Sequence, residues 1–385
     1  MRRILWVRTD AIGDAVLAMD QLRGIAARHP SAEIHIACQT LTATLYSACP
    51  FQATAHPFDR GSFRKHTAYR RDYLRRIKDL GVDLAVNGVF SRETLSDAVT
   101  LASGAPIRVS WRGDDSQAKA SRLRFLDDFY THQLDGTGAP ALEILRNQQF
   151  LEFLGCGLAD YQPRIWLSEA DEAYADNLLR SHCVDPRECI ALFPGAQRPE
   201  RAYNGYGQAL RVAFPAGGPT LIALGGSVDR DSCEQAIKDW GGPSLNLCGT
   251  TTILQAAALI ARCKLGFGAE TGSAHIATAL GTPVVVLLGG GHFGRFMPYA
   301  ASHSAAVLPL NCFNCNWRCP FERIHCVQDV DPALLARALH EAWEASSERA
   351  RIYRSAALPS HSEAKVPRPD PAKSMALVDA QWIIV

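Results

Sequence analysis

The sequence predicts an α/β protein built from two parallel-sheet domains, and three observations carry that expectation. Short apolar runs alternate with helical periodicity in both halves of the chain, the pattern of strand–helix–strand units. A proline-marked break at Tyr161–Ser168 (YQPRIWLS) separates the two series. The stretch Lys264–Phe296 reads as strand, turn, helix, strand and glycine loop, the repeating unit of an open parallel sheet. At 385 residues, two domains fit the length better than one. The expected division is 1–162, 163–350 and a tail from 351 to 385. With 47% hydrophobic and 21% charged residues the chain has an ordinary globular balance, and a net charge of +1 gives no ground for nucleic-acid binding.

In chain order, Ile4 to Val7 is the first strand. A helix follows with Ile12, Ala15, Val16, Met19, Leu22 and Ala26 on one face, stopping at His29-Pro30. Glu33 to Ala37 is the second strand. The turn between the first strand and its helix is Arg8-Thr9-Asp10-Ala11-Ile12-Gly13-Asp14, where Gly13 permits close approach of a ligand or another backbone. Taken alone, Asp14 is open to two readings: a charge that favours a helix start, or a carboxylate facing the ligand end of the sheet. The opening residues do not read as a signal peptide, because the apolar run is short and charge returns at Arg8. The uncharged stretch from Thr271 to Gly294 holds proline and glycines and reads as buried strand–helix–strand, not a membrane span. A cytosolic protein is therefore expected. Arg64 to Lys78 (RKHTAYRRDYLRRIK) is a basic helical segment, either a solvated face or a patch for an anionic acceptor or membrane surface. Further strands are expected at Leu84–Val86 and Ile107–Val109, a loop-rich insertion over 110–137, and a helix over Leu142–Leu154.

In the second half, strands are expected at Cys189–Phe193, Thr220–Leu224 and Ser244–Leu247, with helices around Ile237 and over Thr252–Cys263. Pro194-Gly195-Ala196-Gln197 and Gly225-Gly226-Ser227 are the turns that leave the first two of these strands. Leu265 to Phe267 is the strand that leads to Glu270, Thr271 and Gly272, and Ser273 is the expected cap of the helix carrying Ala274, His275, Ile276 and Leu280. Gly281-Thr282-Pro283 ends that helix, and Val284–Leu288 is a second buried strand. A helix N-terminus at the carboxyl end of a parallel strand attracts phosphate, so Glu270 to His275 is the expected dock for a phosphorylated ligand. The tail from Ser355 (ALPSHSEAKVPRPDPAK) reads as disordered linker, followed by an apolar segment, Ala376 to Val385, that could dock on the body or on a partner.

At three places these residues match a known pattern. The opening ILWVRTDAIGDAVLAMDQLRGI resembles the strand, R-x-x-x-x-G-D and helix of glycosyltransferase family 9, the ADP-heptose:lipopolysaccharide heptosyltransferase family. FPGAQ, from Phe193 to Gln197, resembles the P-G-A turn of that family, and AETGSAHIATALGTPVVVLLG resembles its D-T-G-x-x-H-x-A-A-x-L-x-x-P signature. The resemblance implies a GT-B enzyme with two Rossmann-like domains facing a cleft. It implies a nucleotide-sugar donor, ADP-heptose, on the C-terminal domain, an acceptor on the N-terminal one, and inversion without a catalytic metal. The aspartate of its G-D pair is the general base, which falls on Asp14. Its basic residue after the P-G-A turn contacts phosphate, which makes Arg198 or Arg201 the candidate here.

The chemistry asks for such groups. An acceptor hydroxyl is a poor nucleophile at neutral pH until a carboxylate takes its proton. The departing diphosphate gains negative charge, which helix N–H groups and a cation stabilise. Donor contacts are accordingly expected from Gly13, Gln197, Arg198, Arg201, Gly226, Glu270, Thr271, Gly272, Ser273, His275 and His292. Glu270 stands where the family has Asp, and the loop GGGHFGRF, Gly289 to Phe296, is richer in glycine and more basic than the usual one, so that His292 or Arg295 could reach the diphosphate. The alternative for His275 is a core-facing helix residue hydrogen-bonded to its surroundings.

Of twelve cysteines, eight lie singly (Cys38, Cys49, Cys156, Cys183, Cys189, Cys233, Cys248 and Cys263) and read as small buried apolar residues. The remaining four, Cys312, Cys315, Cys319 and Cys326, have the spacing C-x2-C-x3-C-x6-C. In a cytosolic chain this pattern favours a structural zinc or iron site over disulfides or free thiols. It also looks like the cysteine motif of the autotransporter heptosyltransferase branch, which modifies proteins. Such a site would stiffen the loop or build a contact between copies in a homo-oligomer. The function expected is an inverting transfer of a sugar to a hydroxyl on a lipopolysaccharide or other glycan, a lipid-linked acceptor, or a protein Ser/Thr. The competing readings are a sugar-nucleotide epimerase of the same fold and a non-catalytic nucleotide-sugar-binding scaffold.

Overall fold

The computed structural model describes residues 1–113, 124–196, 198–345, 347–355 and 383–385. It divides into two compact units, Met1–Trp166 and Leu167–Val385. Each is an α/β unit around an all-parallel sheet.

In the first unit the strands are β1 Arg3–Arg8, β2 Glu33–Gln39, β3 Ala53–Phe58, β4 Leu84–Asn87, β5 Ile107–Trp111 and β6 His132–Leu134. Their order is β3-β2-β1-β4-β5-β6, with every neighbouring pair parallel. Ile4 to Val7 are fully buried, as a central strand covered on both faces requires. The helix Ile12–Arg28 follows β1 and buries Val16, Leu17, Met19 and Leu22. Its one deeply buried acid, Asp20, is satisfied by Arg23 at 2.8 Å and Arg164 at 2.6 Å. The chain passes from β1 to β2 on one side and onward to β4 on the other, so the strand order reverses beside β1.

The basic segment is not one helix. It forms Arg60–Lys65 and Thr67–Asp79, broken where His66 takes an extended conformation. In the longer piece only Tyr73 and Ile77 are buried, and most of the arginines lie on the solvated face. The insertion expected as loop contains the short strand β6 and a 3-10 turn, Arg124–Phe129; residues 114–123 lie outside the described residues.

In the second unit the strands are β7 Cys189–Phe193, β8 Thr220–Ala223, β9 Ser244–Asn246, β10 Leu265–Ala269, β11 Val284–Leu287, β12 His303–Val307, β13 Arg351–Arg354 and β14 Ile383–Ile384. Their order is β14-β13-β12-β11-β10-β7-β8-β9, all parallel. Here the strand order reverses between β7 and β10. Most of the tail (356–382) lies outside the described residues, but its end does dock on the body: Ile383 and Ile384 pair with Arg351 and Ile352 at the sheet edge. No helix among the described residues is long and apolar enough to cross a membrane. Of the eight single cysteines, Cys183 is exposed and Cys49 half-buried, contrary to expectation, and the others are buried.

Candidate functional site

In open α/β sheets ligands gather beyond the carboxyl ends of strands where the strand order reverses. In the second unit that point lies between β7 and β10, which are in register through Phe193 and Gly268. The two turns that leave there are Pro194-Gly195-Ala196 and Glu270-Thr271. Gly268 is required for the close approach: its φ is +155, and a Cβ would meet the Phe193 carbonyl oxygen at 2.2 Å. Gly195 is required because a Cβ would lie 2.4 Å from Asp229 Oδ1.

The helix that follows β10 spans Gly272–Ala279, with Thr271 as its N-cap and no side-chain capping bond. Ser273 is therefore not the cap expected for it; it lies inside the first turn. Ala274 and His275 N–H groups donate to Thr271 O, so the turn closes on Thr271. The N–H groups at the start of a helix have no acceptor within the helix, and Thr271, Gly272 and Ser273 are all half-exposed there. This is the geometry of an anion site.

Around it the structure gathers Glu270, Arg201 and Tyr299. Glu270 acts electrostatically on both of the others. Burial lowers the Arg201 pKa from its ordinary value, and Arg198 lowers it further, with Glu200 and Glu270 opposing. Of the two candidate arginines, Arg201 is half-buried, while Arg198 is exposed and paired with Glu200 at 3.6 Å. Gly226 is exposed, and its N–H already donates to Asp229 Oδ2 at 2.9 Å. Gln197 lies outside the described residues. A cavity of about 500 Å³ opens just after Arg201, lined by Tyr203, Asn204, Gln208 and Arg323 among others, but no residue of the Glu270–His275 turn borders it.

His275 is 3% exposed, so it is a buried helix residue as well as a neighbour of the anion site. Burial lowers its pKa to about 4. Its Nδ1 lies 3.1 Å from the Tyr299 hydroxyl. Below it, Tyr299 N–H donates to His303 Nδ1 at 3.2 Å, and His303 Nε2 lies 2.8 Å from Thr278 Oγ1. His292 has both ring nitrogens engaged: Trp317 Nε1–H donates to Nδ1 at 3.2 Å, and Nε2 lies 2.5 Å from Asn316 Oδ1. It is thus tied to the cysteine-bearing loop.

The four-cysteine metal site is not assembled. Among the described residues no group of three or more His, Cys, Asp or Glu side chains is placed to hold a metal ion. The sulfurs also have separate partners: Cys326 Sγ accepts from Gly290 N–H at 3.3 Å, and Cys319 Sγ donates to Arg323 O at 3.7 Å.

In the first unit the reversal point falls at β1, and the Arg8–Asp14 turn leaves there. Arg8 is 1% exposed and organises it: its guanidinium donates to Gly88 O at 3.3 Å and Asp14 O at 3.1 Å and pairs with Asp10 at 3.0 Å. Gln39 Nε2 holds the Thr9 and Asp10 carbonyls at 2.7 and 2.9 Å. Asp14 and Gly13 lie half-buried in the first turn of the Ile12–Arg28 helix. Asp10 was not singled out from sequence. Burial, reinforced by Asp14 and opposed by Arg8, raises its pKa to about 7.

Residues 93–325 match the family described as glycosyltransferase family 9 (heptosyltransferase). Lipopolysaccharide heptosyltransferase 2 of Escherichia coli (strain K12) is 26% identical over 321 residues, covering 80% of this chain and 88% of that protein. Among solved structures, E. coli ADP-heptose lps heptosyltransferase II aligns with a TM-score of 0.66 at 21% identity, over 89% of this chain and 99% of that one. E. coli heptosyltransferase WaaC with ADP-2-deoxy-2-fluoro heptose aligns at 0.62 and 14% identity, over 88% and 97%. The two structures share the two-domain, parallel-sheet fold described above.

Proposed function

This chain belongs to glycosyltransferase family 9 and is a glycosyltransferase, and on that premise we propose that it transfers heptose from ADP-heptose to a hydroxyl of a lipopolysaccharide core sugar with inversion. The observation that carries the donor reading is the helix N-terminus at Thr271–Ser273, set at the reversal point of the second sheet with Arg201 and Glu270 beside it. Its N–H groups and the Arg201 guanidinium supply what a departing diphosphate needs in the absence of a metal. Relatives named for lipopolysaccharide heptosyl transfer support the choice of sugar and acceptor.

In the first unit, Asp14 takes the role of base and the surface around it the role of acceptor site. The acceptor oxygen forms its bond to the anomeric carbon as Asp14 accepts the hydroxyl proton. The carbon–oxygen bond to the diphosphate breaks, and ADP leaves with that electron pair. Arg8, which ties the Asp14 backbone to β1, fixes where the carboxylate starts.

The test is incubation of the purified protein with ADP-heptose and a heptose-deficient lipopolysaccharide core. The expected result is release of ADP and a core heavier by one heptosyl residue. Consumption of a UDP-sugar in place of ADP-heptose would overturn the donor, and heptose found on a protein Ser or Thr instead of the core would overturn the acceptor.

A further inference from the structure

The loop between Cys312 and Trp317 is bound tightly to the glycine loop that leaves β11. Asn314 N–H donates to Gly290 O at 2.8 Å, and Asn316 N–H to Gly291 O at 3.0 Å. There is no room for side chains on those glycines: a Cβ on Gly290 would lie 2.2 Å from the Phe313 ring, and one on Gly291 2.3 Å from the Trp317 ring. Three non-glycine residues here adopt the left-handed conformation, Asn314 (φ 65), Asn316 (φ 51) and Trp317 (φ 58). Asparagine tolerates it; a bulky tryptophan does not, and holds it only where the surroundings over-determine it.

The strained backbone places the Trp317 indole. Its N–H is bonded to His292, itself fastened to Asn316, and its ring lies 3.9 Å from the Arg201 guanidinium carbon. We propose that Trp317 is a positioning residue for donor binding, its ring holding Arg201 ready for the diphosphate. This inference rests on the donor-site reading above. A guanidinium stacked on an indole uses its face for the ring and keeps the N–H donors on its edge for phosphate. Stacking also orders a flexible side chain before the ligand arrives, so binding does not have to. It gives the cysteine-bearing loop a part in donor binding that needs no metal.

The test is calorimetry with ADP, on the full chain, for wild type, Arg201→Ala, Arg201→Lys, Trp317→Phe and Trp317→Leu, with melting curves for each. Trp317→Phe keeps an aromatic face and is expected within about threefold of wild type, whereas Trp317→Leu, which fills space without one, loses about tenfold. Arg201→Lys keeps the charge but not the planar fork and is expected to lose a similar factor; combining it with Trp317→Leu adds little, because the two act through one contact. In turnover, Trp317→Leu raises KM for the donor with kcat nearly unchanged. If Trp317→Leu and Trp317→Phe bind ADP alike while Arg201→Ala does not, the indole has no such role and the donor site stands. If Arg201→Ala binds ADP like wild type, the donor-site reading itself fails. Should the Leu variant not fold, Trp317→Met, which also lacks an aromatic face, takes its place, and losses additive with those of Arg201→Lys would overturn the coupling.

Discussion

The imidazole of His275 lies stacked on the Tyr299 ring, planes 9° apart and centroids 5.8 Å distant, with the phenol oxygen 3.1 Å from Nδ1. Burial keeps the imidazole neutral near pH 7, since its pKa is lowered to about 4. The network underneath fixes the tautomer of His303. His303 Nδ1 accepts from the Tyr299 backbone, so its proton sits on Nε2 and goes to Thr278 Oγ1; Thr278 in turn donates to Ala274 O at 2.9 Å. The Tyr299 hydroxyl has both His275 Nδ1 and the Thr278 side chain as hydrogen-bond partners, and the prediction is that its hydrogen goes to Nδ1, with the His275 proton on Nε2. Tyr299→Phe is expected to release that tautomer and weaken ADP binding by about threefold to tenfold, the worth of one neutral hydrogen bond. Nitrogen-15 shifts of the ring should report a single Nε2–H form in wild type and a mixture in the variant. A wild-type ring already mixed, or already carrying its proton on Nδ1, contradicts the assignment.

The same two histidines make the second unit labile to acid. Burial lowers His275 to about 4 and His303 to about 3, with His275 adding to the latter. Because both folded values lie below the ordinary histidine value, their stabilisation is complete above about pH 6.5 and is lost as pH falls towards 4 and 3. His303→Gln removes one of the two protonations. It is expected to be less stable than wild type at pH 7 by about 1–2 kcal/mol, the cost of disturbed hydrogen bonds, yet to lose less stability on going to pH 4.5. Melting temperatures across that range decide it, and parallel curves would show that His303 does not titrate with folding.

Asp10 has the opposite sign. Its Oδ1 is buried without a hydrogen-bond partner among the described residues, although Oδ2 pairs with Arg8. Its folded pKa, about 7, is raised above the usual carboxylate range. The native state therefore holds that proton more tightly, and the associated stabilisation, full at acid pH, is lost as pH rises through about 7. Asp10→Asn mimics the protonated form. Between pH 5 and pH 8 it should show a smaller fall in melting temperature than wild type, by a few degrees, given that ~1 kcal/mol shifts a unit of this size by roughly 2–4 °C. An equal fall in both would place the titration elsewhere.

What could be read from the sequence was local. The Glu270 turn was legible because a strand, a turn and a helix start follow one another within a few residues, and so was the Arg8–Asp14 turn. The partners of those turns were not. Tyr299 reaches His275 from 24 residues on, and Trp317 meets His292 from 25; only the folded sheet brings them together. Asp10 stood in plain view within the opening motif, but its burial against Arg8 depends on β1 and β4 being neighbours. The edge strand β3 was missed because it buries little beyond Phe58 and so lacks an apolar rhythm. Cysteine spacing suggested a metal; the left-handed turns at Asn314, Asn316 and Trp317, which no periodicity reveals, instead direct that segment onto the glycine loop.

Asp14 provides the sharpest separation of binding from chemistry. It lies half-buried in the first unit, and the Arg8 guanidinium donates to its backbone carbonyl oxygen. Asp14→Asn keeps that backbone contact and the size of the side chain while removing the base. Donor binding is assigned to residues of the second unit, so ADP affinity measured by calorimetry is expected within about twofold of wild type. Transfer, measured as heptosylated core, is expected to fall by about 10²–10⁴, the usual worth of a positioned base. A variant that turns over at the wild-type rate assigns the proton to another group, of which Asp10, joined to the same arginine, is the first to test by the same substitution. A variant that loses ADP affinity in parallel with turnover makes Asp14 a binding group and removes it from the chemistry.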